Sequence, residues 1–78
     1  MMERKQIGEV FRNNVKYYMK EKHITKEDLY SKVNASPESI DRILYEKQIP
    51  SLRVALEFSY VLDVNINKLV YPEYNIEQ

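Results

Sequence analysis

The sequence predicts an all-α fold, a compact five-helix bundle, on the strength of three observations. Apolar residues recur three and four apart over long stretches, which is the spacing of one helix face. Chain breakers are scarce, with Gly 1 and Pro 3 in 78 residues. Ser, Thr and Pro stand where helix starts need them. No run alternates apolar and polar residues between turn signals, so no strand is expected.

The first helix opens at Ile7 and closes near Lys22. Ile7, Val10, Phe11, Val15, Tyr18 and Met19 form its inner stripe, and Glu9, Arg12, Asn13, Lys16 and Lys20 lie on the other face. Thr25 is an N-cap, and Asp28 three residues on is a weaker form of the capping-box acid. A short helix follows from Lys26 to Val33, with Leu29 and Val33 inward. Asn34 tolerates the left-handed backbone of a sharp turn. Ser36 caps a third helix that starts at Pro37, where the missing N–H costs nothing, and ends at Leu44. Its inner face is Ile40, Ile43 and Leu44. After the loop Glu46 to Pro50, Ser51 caps a fourth helix reaching about Asp63, with Leu52, Ala55, Leu56, Ser59 and Leu62 inward. A single-turn helix around Asn67 to Val70 stops before Pro72. Residues 1–78 therefore read as a single domain, with a core at 7–70 and a short tail at 71–78.

Composition narrows the function classes. Cys 0 leaves neither a disulfide framework nor a thiolate metal site, and a cytoplasmic setting is natural. Met1 to Gln6 is charged, unlike a signal peptide. No apolar segment approaches the ~18 residues of a membrane span. The lone histidine, His23, has no companions to complete a ligand set, and no glycine-rich phosphate loop exists, so neither an enzyme nor a cofactor is expected. The net charge is +0, but it is polarised. Up to Lys26 there are seven basic residues against three acidic, a local +4, and the remainder carries −4. A local basic patch, not the total, sets the field at a contact face.

Two short helices around a tight turn, inside a small helical domain, are the pattern of a helix-turn-helix. "ITKEDL" (Ile24 to Leu29) opens helix 2, "NASPESIDRI" (Asn34 to Ile43) supplies the turn and recognition helix, and "IPSLRVALEFSYVLDVNINKL" (Ile49 to Leu69) the last two helices. In this order and spacing the chain resembles the phage Cro/repressor-type helix-turn-helix family, also described as xenobiotic-response-element-like, over roughly Ile7 to Val70. The resemblance implies a lambda-repressor-like bundle and double-stranded DNA as partner. It aims Pro37, Glu38 and Arg42 at base edges, with Ser39 and Asp41 alongside, and assigns phosphate contacts to Lys26, Ser36, Lys47 and Gln48. The departures are specific. Tyr30 replaces a small residue at the close approach of helices 2 and 3, Asn34 replaces the turn glycine, and Glu46 replaces a glycine after helix 3. Met19 and Leu44 replace an arginine and glutamate that many members bury as a pair, a double swap that strands no charge.

The recognition helix is acidic. Glu38 can accept from cytosine N4 and Arg42 can donate to guanine O6 and N7, so these residues select sequence without supplying attraction. Glu38 and Asp41 equally suit a solvated face near a helix N-terminus, Arg42 an i,i+4 pair with Glu46, and Arg12, Lys16 and Lys20 a solvated stripe. Tyr 7 is high for the length, and helix 4 is apolar on more sides than one core requires. A homodimer interface through Val54, Phe58, Val61, Val70, Tyr71 and Tyr74 is the expectation. The leading expectation is a dimeric repressor of prokaryotic or phage type on a short inverted repeat. The alternative is a module of the same fold that engages a protein partner, antirepressor- or antitoxin-like, with DNA binding weakened or lost.

Overall fold

Local capping chemistry sets most of the boundaries. In the computed structural model, which describes residues 4–71, the helices are α1 (Arg4–Lys22), α2 (Lys26–Lys32), α3 (Pro37–Tyr45), α4 (Leu52–Leu62) and α5 (Asn67–Val70). Thr25 and Asp28 form a full reciprocal box. The Thr25 hydroxyl oxygen accepts from the Asp28 N–H at 3.2 Å, and the Asp28 carboxylate accepts from the Thr25 N–H at 2.9 Å. Ser36 and Ser51 cap α3 and α4 through the N–H groups of Ser39 and Val54.

One core joins the helices. Phe11 of α1 and Phe58 of α4 meet at 5.5 Å between ring centroids, tilted by 58°. Val15, Leu29, Ile40, Ile43, Leu44, Leu62 and Leu69 close around them. Met19 packs against the same cluster that buries Leu44, so the two apolar substitutes share one interior. Asn14 is buried as well, and its side-chain amide donates to the Leu69 carbonyl at 2.8 Å, tying α5 to α1. Gly8 permits a close approach: a Cβ there would stand 3.0 Å from the Ile49 side chain in the loop after α3.

The structure corrects two expectations. Asn34 is not left-handed; the left-handed non-glycine residues among those described are His23 (φ 57) and Asp63 (φ 56). α2 instead ends on an extended Val33, and the Ala35 N–H returns to the Val33 carbonyl at 2.9 Å, a tight turn around Asn34. The two left-handed residues end α1 and α4. At each end the next N–H reaches back five residues, Ile24 to Met19 and Val64 to Ser59, which satisfies carbonyls the helices leave open. Lys22 then donates to the Asp63 carbonyl at 2.9 Å, so the two ends are linked. Finally, Ala55, Ser59 and Leu62 of the predicted α4 inner stripe are buried, but its other two members, Leu52 and Leu56, are not. Leu52 is 74% exposed, and Val54 and Phe58 are interior, because the Phe11 ring takes Phe58 into the core.

The turn between α2 and α3 is held from outside by α4. Glu57 accepts the Asn34 N–H at 2.7 Å, Arg53 donates to the Asn34 carbonyl at 3.0 Å, and Arg53 and Glu57 pair at 2.9 Å. The Glu57 carboxyl is held below its ordinary 4.5, first by the Asn34 N–H and then by Arg53. A folded-state pKa below the unfolded one gives stability that is present above pH 4.5 and lost as pH falls through the folded value. Glu57→Gln keeps an acceptor and loses the titration. Thermal melts are expected to show the variant less stable than the parent at neutral pH, with the gap closing below pH 4.5. A gap that stays constant with pH would refute this role.

Candidate nucleic-acid interface

α3 shows its inner stripe to the core and its remaining faces to solvent. Pro37, Glu38 and Arg42 are exposed, while Ser39 and Asp41 are half-buried. Among the described residues the Arg42 guanidinium has no hydrogen-bond or ion-pair partner; in particular it does not pair with Glu46. Ser36 and Ser39 bind each other. The Ser36 hydroxyl oxygen accepts the Ser39 N–H at 3.1 Å, and its hydroxyl donates to Ser39 Oγ at 3.1 Å.

Asp41 is not free. The Tyr30 hydroxyl donates to it at 2.5 Å, bridging α2 and α3 at their close approach. The ring at the position where a small residue was expected is half-buried against the core, and its hydroxyl engages a carboxylate of α3. That hydrogen bond, followed by desolvation and the Asp41 charge, pushes the Tyr30 hydroxyl up to about 12. Tyr30 thus stays protonated and donating through the neutral range.

The cations gather at the other end of α3. Tyr45, its last residue, is exposed, and two ammonium groups lie against its ring: Lys16 of α1 at 4.9 Å from the centroid and Lys26 of α2 at 5.3 Å. Arg12, one turn before Lys16, donates to the Glu46 carbonyl at the C-cap of α3. An arginine from α1 therefore still reaches the end of α3, but it binds main chain in place of a buried glutamate. Arg12 and Lys47 line one open cleft with Gln6 and Glu9. Lys47 is exposed and Gln48 half-buried.

Of the expected dimer residues, Val54 and Phe58 are core, at 7% and 0% exposure, and neither offers a surface to a second copy. Val61 and Val70 are half-buried, Tyr71 is exposed, and Tyr74 lies outside the described residues. The outward face of α4 carries Leu52, the half-buried Leu56, and Tyr60 at 77% exposure.

The Tyr30–Asp41 bridge makes a stability prediction. Tyr30→Phe and Asp41→Ala are each expected to lower the melting temperature, and the double variant to fall short of the sum of the two losses. Strictly additive losses in this cycle would show that the two side chains act separately.

The sequence matches a family model described as a Cro/C1-type HTH DNA-binding domain over residues 14–73, well over half of the chain. No curated protein and no solved structure matches it. Among the described residues, no helix is long and apolar enough to cross a membrane. With α2, the turn and α3 arranged as the family requires, the chain belongs to the Cro/C1-type helix-turn-helix DNA-binding family.

Proposed function

We propose that this protein is a transcriptional regulator of prokaryotic or phage type, acting in the cytoplasm as a dimeric repressor on a short inverted repeat. The observation that carries this reading is the outward face of α3, where Glu38 and, one turn on, Arg42 are exposed and Arg42 has no partner among the described residues. Arg42 reads guanine through O6 and N7, and Glu38 reads cytosine through N4. Pro37 and Ser39 are neighbours at the base edges. Asp41, engaged by Tyr30, sets the position of α3 and is withheld from the bases. Lys26, Lys47, Gln48 and the amino end of α3 at Ser36 hold phosphates, which fixes register without carrying sequence information.

In this reading the second copy seats on the outward face of α4. Leu52 and Tyr60 are the most exposed large apolar side chains there. A two-fold axis through such a face gives the paired α3 helices that an inverted repeat needs. The same apolar face favours the competing reading, a module of this fold that engages a different protein and leaves DNA alone.

Selection from a randomised duplex pool tests the base-reading role. The parent is expected to enrich one short inverted repeat. Arg42→Ala is expected to lose about 1–3 kcal/mol of discrimination at one base position, and Lys26→Ala to weaken all sites alike. No enriched site in dilute buffer would favour the protein-interaction module. Light scattering tests the assembly: a dimer for the parent and a folded monomer for Leu52→Glu with Tyr60→Glu. A dimer that survives both changes would rule out this face of α4.

A further inference from the structure

Asp41 and Arg42 stand three and four residues after Glu38, and Tyr45 four and three after them, so they share the outer stripe of α3. Their chemistry changes along it. The amino end is acidic, the middle carries Arg42, and the carboxyl end carries Tyr45 with Lys16 and Lys26 drawn to its ring from two other helices. Those two ammonium groups lie within roughly 10 Å of each other, about one Debye length in ordinary buffer, so their repulsion is not screened away. Neither is in an ion pair among the described residues. Asp41, the acid one turn before Tyr45, is turned to the Tyr30 hydroxyl. The ring's negative face offsets part of the repulsion, but it supplies no counter-charge. A diffuse anion with several acceptor oxygens would satisfy both ammonium groups and the phenolic hydroxyl together.

Resting on the DNA-binding reading above, we propose that Lys16, Lys26 and Tyr45 form a clamp for one DNA backbone phosphate beside the carboxyl end of α3. α1 thereby becomes a DNA-contacting helix through Lys16. Tyr45 acts as the platform that brings the cations of α1 and α2 to the same point. The clamp adds attraction at the carboxyl end of α3 to that of the other phosphate contacts. A phosphate contact at Tyr45 thus lies one turn beyond the base-reading Arg42 on the same nine-residue helix.

The test is the salt dependence of binding to the duplex enriched by the parent protein, read by fluorescence anisotropy. Each lysine that neutralises a phosphate contributes about 0.9 to the slope of log affinity against log salt. Lys16→Ala is expected to lower the slope by about that amount, and Lys16→Ala with Lys26→Ala by about twice as much. Neither should change which base is preferred at any position. Tyr45→Ala is expected to weaken binding with the same unchanged base preference, and Tyr45→Phe to retain more affinity because the platform remains. Circular dichroism melts confirm folding, and Lys16→Gln replaces Lys16→Ala should that variant not fold. A parent that binds the duplex while Lys16→Ala keeps its full slope overturns the clamp and leaves the DNA-binding reading standing. A parent that binds no duplex at any salt overturns both.

Discussion

Ile40, Ile43 and Leu44 are 0%, 2% and 1% exposed, and their burial fixes the rotation of α3 about its own axis. Each side chain gains about 1.5–3 kcal/mol on leaving water, so turning the helix to present another face would forfeit roughly 5–9 kcal/mol. That is comparable with the whole stability of a small domain. The outer stripe is therefore not adjustable. Glu38, Arg42 and Tyr45 face solvent because the opposite side of the same helix has no alternative partner. Everything proposed about base reading inherits its geometry from these three apolar residues, and behind them from the Phe11–Phe58 contact that anchors α1 to α4.

An acidic recognition helix becomes intelligible once charge is traced in space. Along the chain, α3 carries Glu38 and Asp41 against a single Arg42. In space, Asp41 is bound by a neutral hydroxyl from α2, while Lys16 and Lys26 arrive from α1 and α2 to stand at the far end of the helix. The basic amino-terminal third of the sequence is thus placed against the acidic element that follows it. A local patch can act on a polyanion although the protein as a whole is neutral, because the potential near a contact depends on the charges within about a Debye length.

What could be read from the sequence was what local chemistry decides. Thr25, Ser36 and Ser51 mark their helix starts because each needs a partner only three residues away. Asn67–Val70 lacks a side-chain cap, but Pro72 shortly after it marks its end. On α4 the inward places of Ala55, Ser59 and Leu62 were legible, but those of Val54 and Phe58 were not. Leu52, Val54, Ala55, Leu56, Phe58, Tyr60 and Val61 leave almost no polar face, and the choice between stripes falls to Phe11, 47 positions away along the chain from Phe58. The Tyr30–Asp41 bridge and the Lys16–Tyr45–Lys26 group are likewise long-range, and no spacing rule joins them. His23 and Asp63 did leave a signal. Each ends a helical pattern and is followed by an apolar residue, Ile24 or Val64, which is what a left-handed helix end favours.

α4 connects the two halves of the proposed function. Arg53 and Glu57 grip the turn at Asn34 through both its N–H and its carbonyl, so this helix sets the angle at which α3 leaves α2. Leu52, Leu56 and Tyr60 occupy the adjoining face of the same helix, within a turn of that ion pair. A second copy seated on those apolar residues would cover part of the pair's surroundings and reduce its access to water. An ion pair so shielded is held more tightly than one open to solvent, provided its hydrogen bonds stay satisfied, and here the Asn34 main chain satisfies them. Assembly on α4 would then stiffen the turn that aims α3. In that arrangement the dimer does more than duplicate the reading helix; it also narrows the range of angles at which each copy can present it.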